Sequence, residues 1–320
     1  MATAATVTGR KTSQALVRFA WGVVGYNVLV VLWGALVRAT GSGAGCGNHW
    51  PLCNGQVVPL SPSVHTVIEF THRMMTGGSL FVVIGLLMWT FRGTIKGQAS
   101  RVFAVASTVL LLNEAFLGAL LVKLGYVTGN QSMGRVVVLS IHLSNTLLLL
   151  AALTLTARLL GTRQLWRQLG IGGAKKVWAL FGLAATLVVG VSGSLAALGD
   201  TLFPASSLRA AFAQDFAAES PWLLRLRGVH PVSAVVAAMF VLWLARQARR
   251  AGARRLAGAV LALLAFQFAL GLADVLLLAP VWMQILHLLG ADLYWVGLVM
   301  LAAVVVWPKT DATSLKPTKS

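Results

Sequence analysis

Charge is what this chain has least of. Asp, Glu, Lys and Arg together make up 11% of its 320 residues, and only 8 of them are acidic. A water-soluble domain carries about a quarter of its residues as charges, so a soluble globular protein is excluded. Cysteine occurs twice, which excludes a disulfide-rich secreted scaffold. A cleavable signal is not expected either. The first apolar stretch, Ala15 to Val37, is too long for a signal core and reads as a membrane span. The head before it, Met1 to Gln14, is polar, acid-poor and contains Ser and Thr. It resembles a mitochondrial transit peptide in composition but is short, so a bacterial plasma membrane is expected, with the mitochondrial inner membrane as the alternative.

What the chain has in abundance is hydrocarbon, with 58% hydrophobic residues and a mean hydropathy of +0.80. Apolar stretches stand near 16–37, 66–91, 102–122, 134–157, 177–197, 227–245, 256–276 and 283–307. Each holds about the 20 residues that a helix needs to cross a hydrocarbon layer of roughly 30 Å. The expected fold class is an all-α integral membrane protein. Eight transmembrane helices would form two pseudo-symmetric four-helix bundles, residues 1–160 and 161–320, with both termini on one side.

Basic residues decide which side, because Lys and Arg are retained in the cytoplasm during insertion. One set of helix ends carries Arg10, Lys11, Arg18, Arg92, Lys96, Arg101, Arg158, Arg163, Arg167, Lys175, Lys176, Arg246, Arg249, Arg250, Arg254, Arg255, Lys309, Lys316 and Lys319. The other side and the helices hold the remaining basic residues and every acid except Asp311. Both termini are therefore expected in the cytoplasm. The net charge of +18 is spread over short loops beside a lipid membrane and is not gathered on one nucleic-acid-binding face. No nucleic-acid partner is expected.

The two halves echo each other. Val31-Leu-Trp-Gly-Ala-Leu-Val-Arg-Ala-Thr-Gly-Ser-Gly43 recurs loosely as Val188-Val-Gly-Val-Ser-Gly-Ser-Leu195, and Leu112-Asn-Glu-Ala-Phe-Leu-Gly-Ala-Leu120 as Ala265-Phe-Gln-Phe-Ala-Leu-Gly-Leu-Ala273. His72 then corresponds to His230, and His142 to His287. At about 1.5 Å of rise per residue, each lies roughly 6 to 12 Å inside the outer end of its span. Histidine in a span is expensive and usually functional. Facing pairs at matched depth can clamp a flat metal ring, since neutral imidazole is a good axial ligand for haem iron. Hydrogen-bonded packing residues, a proton relay and a metal transporter remain as alternatives.

Glu69-Phe-Thr-His-Arg-Met-Met-Thr-Gly77 is the densest constellation. Glu69 and His72 are three residues apart and share a helical face. With His72 on iron, Glu69 would reach the rim of the macrocycle, as a base or as the stabiliser of a cation on a ring substituent. The alternative is a buried pair with Arg73 or Arg38. Three residues before His230 stands Arg227, in Leu226-Arg-Gly-Val-His-Pro231, so only one half offers the carboxylate. This asymmetry points to one reacting site and one helper.

These residues resemble the haem A synthases of bacterial and mitochondrial membranes. The motifs run from Gly34-Ala-Leu-Val-Arg-Ala-Thr-Gly-Ser-Gly43 through Glu69-Phe-Thr-His-Arg73, Ile141-His-Leu-Ser-Asn145 and Gly228-Val-His-Pro231 to Ile285-Leu-His-Leu288. The resemblance implies an oxidoreductase that converts haem O to haem A by oxidising a ring methyl to a formyl group, through a hydroxymethyl stage and loss of water from a geminal diol. It implies His72 and His142 on the substrate haem, Glu69 as catalytic carboxylate, and His230 and His287 on a haem b that relays electrons. The expected partners are haem O synthase, cytochrome oxidase assembly factors and an electron acceptor of unknown identity.

Cys46 and Cys53 bracket a short outer loop, where a disulfide is expected. A subset of the family carries such a pair, as a redox device or as a brace. Cys46, His49 and Cys53 as metal ligands are the alternative. His65 reads as a solvated loop residue or as an aid to arriving haem. Arg38, Arg73, Arg135, Arg225 and Arg227 lie near outer helix ends. There they can meet haem propionates through guanidinium forks, or bind lipid headgroups and cap helices. Glu114 and Asp274 are span acids, for proton transfer or for pairing with a polar neighbour. The rival function is a bis-histidine diheme electron-transfer protein, although such proteins usually link haems across the membrane and these histidines share the outer side. A repeat-built transporter would place its polar groups near the midplane instead.

Overall fold

The computed structural model describes residues 12–162, 164–169 and 173–307. Arg10, Lys11, Arg163, Lys309, Lys316, Lys319 and Asp311, which enter the orientation argument, lie outside the described residues. Among the described residues the helices run in the order α1 (Gln14–Ala39), α2 (Val64–Gly93), α3 (Ala99–Lys123), α4 (Met133–Thr162), α5 (Ala174–Leu202), α6 (Leu208–Phe216), α7 (Trp222–Arg225), α8 (Val229–Arg250), α9 (Arg254–Leu276) and α10 (Val281–Val306). Eight segments are long and apolar enough to cross a membrane, with α7 and α8 counted as one from Trp222 to Arg250. The protein is an all-α, multi-pass membrane protein. Neither α6 nor α7 was expected from hydropathy; both are short helices between α5 and α8.

Local chemistry sets the helix starts. Ser13 accepts from the Ala15 amide at 3.1 Å, Ser63 from Thr66 at 3.2 Å and Ser207 from Ala210 at 3.2 Å, each hydroxyl satisfying one of the unpaired first-turn donors. Inside the spans, hydroxyls fold back on their own helix. Thr154 donates to Leu150 O at 2.7 Å, Thr156 to Ala152 O at 2.8 Å and Thr186 to Gly182 O at 2.9 Å. They thus need no water in an apolar surrounding.

In the first half α1 packs on α2, α2 on α3, α3 on α4, and α4 returns to α1; in the second, α5, α8, α9 and α10 follow one another in the same way. The halves meet where α1 and α4 lie against α5 and α10. A core crosses that seam, with Val28, Leu147, Leu150, Ala179, Val241 and Leu298 among its members. A second core, including Leu16, Val83, Leu86, Leu111 and Leu153, lies within the first half. Trp295 on α10 donates its indole N–H to Leu147 O on α4 at 2.8 Å. The α1–α2 contact is pinned by Trp33 to Ile68 O and by Tyr26 to Met75 O, both at 2.9 Å. Outward-facing Phe81, Phe116, Met239 and Leu272 are exposed, as lipid-facing span residues should be.

Leu298 is fully buried at the seam. Leu298→Ala is expected to cost about 3 kcal/mol through the cavity it leaves, read as a lowered thermal unfolding midpoint in detergent. An unchanged midpoint would show that the seam is not close-packed.

Candidate functional site

Each of the four span histidines stands against a glycine of the neighbouring helix. His72 on α2 faces Gly34 on α1, where a Cβ would come within 3.0 Å of the imidazole Cε1. His142 on α4 faces Gly118 on α3 at 3.9 Å, His230 on α8 faces Gly193 on α5 at 2.8 Å, and His287 on α10 faces Gly271 on α9 at 3.4 Å. Small residues let helix backbones approach in membranes, and here the approach is used to seat a ring flat against bare backbone. Three of these glycines occur in the motifs quoted above, and Gly193 lies in the loosely repeated stretch. Their pairing with histidine was not read from the sequence, because the partners lie on different helices.

The rings of His230 and His287 lie 6.4 Å apart, centre to centre, with their planes at 90°. Two metal–nitrogen bonds of about 2 Å plus the half-widths of two rings give roughly the same span, so this pair can hold a metal between them. The Nδ1 atom of His230 is 3.1 Å from Val189 O. A carbonyl only accepts, so Nδ1 carries the proton in that contact and Nε2 keeps its lone pair. The Nδ1 atoms of His72, His142 and His287 are buried without a hydrogen bond, although Glu114 Oε1 stands 3.6 Å from that of His142. The His230–His287 spacing and the glycine beside each imidazole fit bis-histidine haem ligation.

Glu69 is buried and held on both oxygens. Oε2 accepts from the Cys46 amide at 2.8 Å and Oε1 pairs with Arg73 at 2.5 Å, so the alternative of a buried pair with Arg73 is realised. The Arg73 guanidinium also donates to His49 O and Leu52 O at 2.6 Å each. Cys46 and Cys53 are joined by a disulfide, so they are not free to act with His49 as metal ligands. The loop they close is bound to the first turns of α2. Thr66 donates to Gly45 O at 2.8 Å, and His65 meets Ser42 Oγ at 2.9 Å. His65 is exposed in the first turn of α2 and has Ser42 as a partner.

The five outer arginines differ in their partners. Arg227 is held by Asp200 at 2.9 Å and Asp215 at 3.3 Å, which already neutralises it. Arg73 belongs to Glu69, and Arg225 donates to Ala218 O at 2.8 Å from an exposed position. Arg38 crosses the seam to Ala197 O at 2.8 Å, Thr201 Oγ1 at 3.1 Å and Gln284 Oε1 at 3.0 Å. Arg135 is buried and donates to Asn130 O at 2.7 Å. The last two are hydrogen-bonded only to neutral groups.

The profile of a family described as cytochrome oxidase assembly protein, COX15-CtaA, matches residues 17–299. The chain belongs to this family. Relatives of this COX15-CtaA member include proteins named protoheme IX farnesyltransferase from two strains of Thermus thermophilus, 44% identical over 298 residues, which is 90% of this chain and 48% of each of theirs. A haem A synthase from Shouchella clausii is 39% identical over 132 residues, 41% of either chain. Another from Bacillus licheniformis is 41% identical over 98 residues, 31% of this chain and 32% of its own. The chain spans about half the length of the Thermus relatives, and the matched part covers less than half of these haem A synthases.

A methyl group at Gly193 would crowd His230 to 2.8 Å, whereas one at Gly118 would stand at an ordinary 3.9 Å from His142. Gly193→Ala is expected to weaken haem retention by on the order of tenfold, the scale of losing outer-shell support at a metal site, while Gly118→Ala keeps it. The haem-to-protein absorbance ratio of the purified variants checks this, and equal retention in both would refute the role of the glycines.

Proposed function

We propose that this chain is a haem A synthase that oxidises a methyl group of haem O to the formyl group of haem A. The observation that carries the reading is one asymmetry. Both halves offer a histidine pair on glycine, but only the first half sets a buried carboxylate, Glu69, one turn from a histidine. On this reading residues 1–160 hold the substrate between His72 and His142, and residues 161–320 hold haem b between His230 and His287. Both termini are cytoplasmic and the site opens toward the outer side. Arg38 and Arg135, lacking carboxylate partners among their hydrogen bonds, suit propionates.

Converting a methyl to a formyl group takes its oxygen from water and releases four electrons and four protons. His230 and His287 would hold a haem b, which would supply one-electron redox chemistry, and the electrons would leave to an acceptor outside this chain. Glu69 shares a helical face with His72, and its two oxygens are engaged by the Cys46 amide and Arg73, so we assign it to the macrocycle rim and not to the iron. Its anion, fixed by Cys46 N–H and Arg73, stabilises positive charge developing on the ring carbon and orients the water that attacks it. A second oxidation of the hydroxymethyl group gives a geminal diol, which loses water to leave the formyl group.

The Thermus relatives bear a farnesyltransferase name over about twice the matched length. We assign the prenyl transfer in those proteins to the part that this chain does not match, and we place a haem O synthase among its partners, beside other oxidase assembly factors.

Glu69→Gln is expected to keep haem O bound and to lower haem A formation by at least about 10²-fold, the usual contribution of a positioned acid or base. Acid-acetone extraction and chromatography of haems, after co-expression with a haem O synthase, reads both quantities. Undiminished haem A would remove Glu69 from the mechanism. Haem b alone in the unaltered protein would favour the diheme electron-transfer reading, and no haem at all would overturn the four ligands.

A further inference from the structure

Three residues on α3 and α4 set His142 apart from the other histidines. Glu114, one turn before the glycine that faces His142, brings Oε1 to 3.6 Å from its Nδ1. The carboxylate is locked from both sides by residues one turn beyond the histidine. Asn145 Nδ2 donates to Oε2 at 2.5 Å and Thr146 Oγ1 donates to Oε1. Asn113 in turn donates to Asn145 Oδ1 at 2.8 Å, which fixes the amide that fixes the acid.

The second half has no equivalent. Gln267 stands four residues before Gly271, as Glu114 stands four before Gly118, and the residues three and four beyond His287 are Gly290 and Ala291 where the first half has Asn145 and Thr146. The Gln267 amide leans into the space over Gly290, with its Nε2 buried and unpaired, and His287 Nδ1 has no hydrogen bond. The first half thus sets a fixed carboxylate beside one ligand, and the second half has a neutral amide at the matching position of α9.

With Nε2 directed to iron, Nδ1 of a ligand histidine carries the proton and faces its outer shell. At 3.6 Å the contact is longer than a hydrogen bond of about 2.9 Å, but a carboxylate facing the Nδ1–H of a ligand histidine raises its basicity. That makes the imidazole a stronger donor and favours ferric over ferrous iron. We propose that Glu114 is a positioning residue for His142, making it the most electron-rich of the four ligands and holding the first-half haem at a lower reduction potential than the second-half haem. Electrons then run downhill from the site where the methyl group is oxidised to the helper. This inference rests on the haem assignment proposed above.

The test is a spectroelectrochemical titration of the full-length, haem-loaded protein, with the two midpoints assigned by the loss of one of them in His142→Ala. Glu114→Gln should raise the first-half midpoint, by on the order of tenfold in the ferric/ferrous ratio or about 59 mV for one electron, and leave the other unchanged. Glu114→Asp should restore part of the shift, which a merely structural defect would not allow. If Glu114→Gln fails to hold haem, Gln267→Glu carries the test and should lower the second-half midpoint. Midpoints that stay put in the haem-bound variants overturn the proposal, even if haem A is made. Shifted midpoints in a protein that makes no haem A would support it while refuting the haem A synthase reading.

Discussion

Everything in this fold depends on helix pairs that approach closely enough to seat an imidazole on bare backbone. A histidine in an apolar layer has no water to satisfy its nitrogens, so its ring must be held by the protein. The pairs α1/α2, α3/α4, α5/α8 and α9/α10 each make room for a ring with a glycine. The Nε2 lone pair, at the ring edge, is what a metal would take. Side chains at Gly34 and Gly193, where a Cβ would crowd the imidazole to 3.0 and 2.8 Å, would separate the helices or tilt the rings, so packing and chemistry are there a single requirement.

The long helices were legible because twenty apolar residues in a row have few other uses, and their observed bounds differ from the expected ones by a few residues. The histidines were legible because they interrupt those runs at repeating positions. Three features were not. The short helix α6 carries no apolar run of membrane length, and its Ser207 cap is a local signal easily missed between two spans. The pairing of glycines with histidines joins residues on separate helices, which periodicity along one helix cannot reveal. The clamp on Glu114 by Asn145 and Thr146 likewise spans two helices, and from the sequence alone Glu114 was one buried acid among several.

Glu69 shows how a local spacing can be right and incomplete. Its place one turn from His72 follows from the helix, but its oxygens are set by a loop some twenty residues earlier through the Cys46 amide, and by Arg73, which also holds that loop's carbonyls. The disulfide therefore braces the same loop that orients the carboxylate. On the proposed reading, the pairing with Arg73 mounts the carboxylate and does not compete with its chemistry.

Arg38 has a consequence for modularity. Although the two halves follow one plan, this residue of the first half spends its guanidinium on Ala197, Thr201 and Gln284 of the second. A first half produced alone would carry a cation stripped of three acceptors near the lipid boundary, and a half borrowed from a cousin would need matching acceptors on two helices at once. The Arg38 contacts thus tie the N-terminal helices to α5 and α10 through matched acceptors.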